Sequence, residues 1–467
     1  MHSHISIEIP EKSNPAQIFD FEKSPQSGSS REDRGLGKKR VVTPAASTTR
    51  VKDARERRIW RLFHNAKVRR WELVRNGNFS EFSDVLQNHS AFKCRTSAGF
   101  DATVGISVRR GRESQNSSDR ANFAGALRCG SVWGCPLCAR TILHKHAEKI
   151  NIGIDFAGEQ GMGMIFYTLT IPHAKSDNPA ELMKKLTIAK TLFAKGGART
   201  RLEKKFNKIG SITRLEITDG KNGIHPHFHT LVFFENELDE LTAQKYIDFL
   251  AAAWLRACSD LRVGLVTDQN LNDFLRHGFH GEQIFLKNAD NITKYMTKMG
   301  FSKELTNATD TKKSKKSGRS MWEVLQGFVK KDKADTRKWL EFLREFRRRP
   351  AVRWSAGLKK KLGVDDDDFD EPDLVNGDES DASERIYTIF QYNLVVRNGL
   401  WFPILRGVET KNFQLLQNIA NKYGVEFTSQ KEGWPSITRH THTQPRHGPA
   451  SPKQSDASEF LERTRWQ

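Results

Sequence analysis

Between Ser211 and Phe234 the chain has few options other than a β-hairpin. Ser211–Thr218 reads as a strand, Asp219-Gly220-Lys221-Asn222-Gly223 as its turn, and His227–Phe234 as the return strand. Alternate residues of a strand share a face, so His225, His227 and His229 point one way while Phe228, Thr230 and Val232 point the other. Two imidazoles two residues apart on a rigid strand are good ligands for a divalent metal. With the turn so drawn, Glu216 lies beside the histidines and offers a third ligand. Two nitrogens and one oxygen leave positions open for a phosphate oxygen, which suits Mg²⁺ or Mn²⁺ acting as a Lewis acid. A lone buried histidine usually just hydrogen-bonds within the core, but three in alternation, next to Pro226, are harder to explain so. His225, at the strand's start, is either a further ligand or a support.

The segments around the hairpin indicate an α+β fold with a central antiparallel sheet flanked by helices. An apolar strand spans Met164–Ile171, helical stretches cover 137–157, 178–207 and 239–258, and short strands are expected near 263–267 and 280–286. A helix is expected at 288–299 and another at 321–348, ending in Arg347-Arg348-Arg349-Pro350. Residues 1–50 and 437–467 have the composition of disordered tails. The expected organisation is a basic helical segment at 51–89, a Cys-rich element and helix at 90–160, and a catalytic domain at 161–364. An acidic linker follows at 365–383, then a small α/β unit at 384–430, with a strand at Tyr387–Val396 and a helix near 411–423.

Cys129-x5-Cys135-Pro136-x-Cys138 brings three thiols into one tight turn. Zn²⁺ takes four tetrahedral N/S ligands, and a CPxC knuckle presents two thiolates correctly. The fourth is Cys94, His144 or His146. Cys94 is favoured, because an all-cysteine site would clamp the preceding segment onto the core. A closed site of this kind is structural. The bland alternative, that buried cysteines merely fill space, fits poorly with three in ten residues.

Lys and Arg number 76 against 56 Asp and Glu, a net charge of +20, which points to an anionic polymer as partner. Candidate DNA contacts are Arg57, Arg58, Arg61, Arg69 and Arg70 on the first helix, where nine basic residues face three acidic ones over 51–75. Lys312, Lys313, Lys315 and Lys316 are further candidates, although charged runs are often only solvated faces. The expected buried stripe of the first helix is Ile59, Trp60, Leu62, Phe63, Val68 and Trp71. Phe228 and Trp133 could stack on bases but read first as core. No stretch approaches 18 uninterrupted apolar residues, so no membrane span is expected. The five cysteines are too few for a disulfide scaffold, and no basic-then-apolar leader opens the chain, so a cytoplasmic location is expected.

Asn291-Ile-Thr-Lys-Tyr295-Met-Thr-Lys298 has Tyr295 and Lys298 one helical turn apart. A tyrosine hydroxyl is a poor nucleophile until a cation lowers its pKa or a metal polarises its target. The ordinary reading is a core tyrosine with a snorkelling lysine.

Phe166-Tyr-Thr-Leu-Thr170, His225-Pro-His-Phe-His229 and Tyr295-x-x-Lys298 stand in this order. The series resembles the rolling-circle replication initiators of small plasmids, in the HUH endonuclease superfamily, single-tyrosine type. Cys129–Cys138 and Trp354-Ser-Ala-Gly-Leu358 also look like that family, and the resemblance covers roughly 90–365. It implies an HUH-like fold with His227 and His229 under a catalytic Mg²⁺ or Mn²⁺, and Glu216 as the upstream acidic ligand. It implies Tyr295 as nucleophile on a phosphodiester of plasmid origin DNA, single-stranded or in a cruciform. The product is a 5′-phosphotyrosine and a 3′-OH primer, with a host helicase and polymerase as partners in a prokaryotic cytoplasm. Some family members carry Glu four residues before the tyrosine to activate water; here Asn291 stands there. Alternative readings are an HUH transposase or mobilisation relaxase, a metallohydrolase without a covalent step, and a non-catalytic zinc-stabilised DNA-binding protein.

Overall fold

The computed structural model describes residues 44–96, 104–109, 119–284, 318–364 and 383–440, with side chains of the first helix from Glu56 onward. Two antiparallel sheets organise these residues. The larger contains β3 (Gly163–Leu169), β4 (Lys208–Gly220), β5 (Gly223–Phe234), β6 (Phe279–Ile284), β7 (Arg319–Ser320) and β8 (Val352–Trp354). Its order is β6-β3-β5-β4-β7, with β8 also on β4. The smaller contains β1 (Val104–Arg109), β2 (Arg120–Ala124), β9 (Ser383–Ile389) and β10 (Phe427–Ser429), in the order β10-β9-β1-β2.

The hairpin is longer and its turn tighter than the sequence suggests. Only Lys221 and Asn222 separate the strands, and Gly223 follows at φ 93°, a conformation that favours a residue without Cβ. β5 is central, paired with β3 on one side and β4 on the other, so its side chains are held from both flanks. One sheet face carries Tyr167, Phe228, Thr230 and Phe234, which alternate with the histidines in the pleat. The helices Pro179–Ala194 and Glu240–Ser259 cover this face. Phe193 meets Tyr167 at 5.9 Å and Trp254 at 5.5 Å between ring centroids, and Tyr246 meets Phe234 at 5.1 Å. Trp254 Nε1 donates to the Thr170 carbonyl at 3.0 Å, so this large buried side chain has no unsatisfied polar atom. Asn178 caps the first of these helices and Asp239 the second.

Several elements depart from the sequence reading. The helix expected at 321–348 is two helices, Met321–Val329 and Lys333–Phe346, broken where Lys331 adopts φ 68° and Asp332 caps the second. Residues 263–267 form no strand; Val263 and Leu265 are buried side chains of an irregular turn. β9 ends at Ile389, and Tyr392–Asn398 is helical. The segment 384–430 is not a sheet of its own: β9 pairs with β1, from the Cys-rich stretch, in register Val104↔Ile389 to Arg109↔Ser383. The first helix, Pro44–Arg75, reaches back into the stretch read as a tail. Its stripe buries Ile59, Leu62, Phe63 and Leu73, whereas Trp71 is 55% exposed and Lys67 lies inside in its place.

Trp401 fastens this helix to the small sheet. It is fully buried, stacks on Trp60 at 6.1 Å, meets Phe63 edge-on at 5.3 Å, and donates from Nε1 to Tyr392 Oη at 2.9 Å. Tyr392 Oη in turn donates to the Arg95 carbonyl at 3.1 Å, tying the C-terminal segment to the residue after Cys94. No helix among the described residues is long and apolar enough to cross a membrane.

Candidate metal centres

Pairing of β4 with β5 sets Glu216 opposite His227 and Arg214 opposite His229; β3 sets Thr168 on the other side of His229. Period-two alternation then gathers Glu216, His227 and His229 on one face, their ligand atoms all within 4.8 Å. Glu216 Oε2 lies 2.8 Å from His229 Nε2 and 3.3 Å from His227 Nε2. His227 Nδ1 lies 3.3 Å from the His225 carbonyl, an acceptor, so Nδ1 is the donor in that contact and Nε2 is the nitrogen that faces the carboxylate. A proton or a metal ion can bridge the nitrogen and the oxygen at this distance. Ligand bonds of 2.0–2.1 Å at right angles would separate neighbouring donors by about 3 Å, close to the observed spacing. The donor set therefore fits a divalent cation without selecting one.

Electrostatics favour the ligating protonation states. Burial by itself raises the Glu216 carboxyl, but hydrogen bonds with His227 and His229 and the nearby Arg214 charge more than offset it, holding it well below the usual carboxylate range. Burial lowers the His229 imidazole, and burial followed by the charges of His227 and His173 pushes His225 down to about 3. A neutral imidazole with a fixed second nitrogen is the metal-binding form. For His229 the fixing partner is Thr168, whose Oγ1 is 2.9 Å from Nδ1.

His225 is not in the cluster. Its Nδ1 is 3.1 Å from His173 Nδ1, with ring centroids 4.5 Å apart. Neither Thr168 nor His173 was singled out from the sequence as a site residue; both stand on or just after the strand that precedes the hairpin, and Thr168 lies within the Phe166–Thr170 element. Tyr295 and Lys298 lie outside the described residues.

The second centre is formed by Cys94, Cys129, Cys135 and Cys138, whose sulfurs all lie within 4.8 Å of one another. Cys138 Sγ is 3.7 Å from both Cys94 Sγ and Cys129 Sγ. Tetrahedral Zn–S bonds of about 2.3 Å imply sulfurs about 3.8 Å apart. Cys135 is the N-cap of the helix Pro136–Glu159, Cys138 lies on its first turn, and the Ser131 amide donates to Cys129 Sγ at 3.4 Å. His144 is exposed on that helix and pairs with Glu148, so Cys94 completes the set of four. Burial pulls the Lys67 ammonium down to about 8, against the raising pull of Cys94, Cys135 and Cys129. Lys67 donates to the Phe92 carbonyl at 2.7 Å, two residues before Cys94.

The basic candidates divide. Arg69 pairs with Glu72 at 2.9 Å, Arg70 donates to the Leu86 carbonyl at 2.5 Å, and Arg57 sits over the Phe402 ring at 5.6 Å. Arg61 is exposed and Arg58 half-buried. Lys312, Lys313, Lys315 and Lys316 lie outside the described residues. Phe228 and Trp133 are packed: Lys190 covers the first at 4.0 Å, and the second meets Phe342 edge-on at 6.2 Å.

The chain is 24% identical to a Streptomyces lividans protein named "Protein rep", over 64% of this chain and 78% of that protein. A shorter similarity, 29% identical, is to a "Neomycin resistance protein" of Streptomyces cyanogenus, over 23% of this chain and 30% of that protein. No protein-family model matches the chain, and no solved structure matches it.

Proposed function

We propose that the protein is an initiator of plasmid rolling-circle replication that nicks one DNA strand at the origin and holds its 5′ end. The observation that carries this reading is the Glu216–His227–His229 cluster, with one carboxylate oxygen 2.8 and 3.3 Å from two imidazole nitrogens on a neighbouring strand. Similarity to a protein named "Protein rep" over most of that protein supports a replication role. The net charge of +20 suits a DNA substrate.

In this reading Glu216, His227 and His229 hold Mg²⁺ or Mn²⁺, which when bound withdraws negative charge from a scissile phosphate. Thr168 fixes the His229 ring. Tyr295 supplies the nucleophile: its oxygen forms the new bond to phosphorus, the bond from phosphorus to the 3′ oxygen breaks, and the phenolic proton ends on that leaving oxygen. The strand's 5′ phosphate stays on Tyr295 and the freed 3′-OH serves as primer. Lys298 balances charge at the phosphotyrosine. The four cysteines hold Zn²⁺ as a structural clamp and take no part in the chemistry.

The test is relaxation of a supercoiled plasmid carrying the origin, with Mn²⁺ supplied. Nicking by the native protein and its loss in Glu216→Ala and His229→Ala support the reading. Undiminished nicking in both variants would reject this cluster as the centre.

A further inference from the structure

The helix Lys333–Phe346 carries its cations in two different states. Arg337 pairs with Glu81 at 2.9 Å, Lys338 with Asp219 at 2.7 Å and Arg344 with Asp84 at 2.8 Å. Just beyond the helix, Arg347 and Arg348 are exposed and form no ion pair among the described residues. Helix C-termini favour nearby positive charge, and Arg349 meets that need by donating from Nε to the Glu345 carbonyl at 3.1 Å. That leaves its two neighbours unexplained.

The backbone here is fixed at some cost. Arg348 has φ 64°, a left-handed conformation usually given to Gly or Asn after a helix, yet a long cation stands there. The corner is pinned on both sides. Trp133 Nε1, from the knuckle between Cys129 and Cys135, donates to the Arg349 carbonyl at 2.5 Å. Two residues later the Ala351 carbonyl accepts from the Leu215 amide at 2.9 Å, one residue from Glu216. The chain can span no more than about 7 Å between Arg349 and Ala351. The arginine corner thus lies on a short strap joining the four-cysteine centre to the Glu–His–His centre.

We propose that Arg347 and Arg348 form a phosphate-contact surface for DNA lying beside the Glu216–His227–His229 centre. Guanidinium groups match phosphate oxygens in a planar fork, and a rigid mount lowers the cost of ordering them. The inference rests on the proposed function only for the identity of the polyanion. It goes beyond that reading in assigning the contact to this corner, not to the first helix alone.

The experiment measures fluorescence anisotropy of labelled duplex and single-stranded oligonucleotides of unrelated sequence, with full-length zinc-loaded protein in buffer without chelator and without added Mg²⁺ or Mn²⁺, across a salt series. The variant is Arg347→Ala with Arg348→Gly, the glycine suiting the left-handed backbone so that the fold is kept. The matched control is Lys245→Ala with Arg256→Ala, two exposed cations on the helix Glu240–Ser259. Loss of two phosphate contacts should lower the slope of log affinity against log salt by about 1.8 on duplex or about 1.4 on single strands. On duplex this amounts to about 60-fold weaker binding at 0.1 M salt. The probe that loses affinity identifies which form of DNA the corner holds. A slope and affinity equal to the control's on both probes would overturn the assignment. Because no Mg²⁺ or Mn²⁺ is supplied, the result stands apart from nicking: native protein that never nicks but shows this difference would reject the nickase and keep the surface.

Discussion

Replacing Cys94 with Ala should expose the four-cysteine centre as a cross-link. Cys94 is 1% exposed and its sulfur is 3.7 Å from Cys138 Sγ. A Zn²⁺ held by the four sulfurs would close the loop from residue 94 to residue 129, 35 residues along the chain. Chain-entropy estimates put the closure of a loop of that length at about 4 kcal/mol. Loss of one buried sulfur by itself costs about 1 kcal/mol, a typical value for a small core change. The native protein and Cys94→Ala should therefore differ by about 5 kcal/mol with Zn²⁺ present and by about 1 kcal/mol after chelation. Urea unfolding followed by tryptophan fluorescence, with and without chelator, gives both differences, and elemental analysis gives the zinc content. Equal differences in the two conditions, or a native protein without zinc, would refute the clamp.

His227→Ala and His229→Ala should each abolish calorimetric Mn²⁺ binding while leaving salt-dependent DNA affinity without added Mg²⁺ or Mn²⁺ within about twofold, since phosphate contacts carry that affinity; retained Mn²⁺ binding would point to other ligands. Stability should fall by a few kcal/mol as pH drops from about 6.5 to about 4. Over that window the unfolded chain protonates His64 and His89 while the folded chain does not, burial holding both rings down to about 4, so the unfolded state binds more protons. His89 Nδ1 also accepts from the Ala91 amide at 3.2 Å, which a protonated ring could not do. His89→Asn, which keeps a cap acceptor and removes the titration, should flatten the pH slope in urea melts; an unchanged slope would assign it to other groups.

What could be read from the sequence was what local periodicity determines. Alternation alone puts His227 and His229 on one face, and a tight turn brings Glu216 opposite His227. The CPxC spacing points to a four-ligand site, and Cys94 is preferred as the fourth because an all-cysteine set would clamp the preceding segment onto the core. Long-range pairing left no such trace. β1 and β9 stand some 280 residues apart in the chain and pair along their length with a single register shift after Ile106, and neither strand's pattern names its partner. The contact of His225 with His173 depends on the path after β3, which Pro172 redirects. Lys67 is one of the nine basic residues of 51–75 that suggest DNA contact, yet its ammonium is buried where carbonyls and thiols compensate it, an environment assembled from three separate segments. The break at Lys331 looks like any polar helical position until its φ of 68° is seen.

The most direct test of the account is covalent capture of the substrate. Purified protein is incubated with Mn²⁺ and a 3′-end-labelled single-stranded oligonucleotide from the replication origin, and the products are run on a denaturing gel. The account predicts a labelled protein–DNA adduct that survives denaturation, is absent from Tyr295→Phe, and is absent when Mn²⁺ is chelated. Cleavage that proceeds in Tyr295→Phe without any adduct would contradict it and leave a metal-dependent hydrolase in its place.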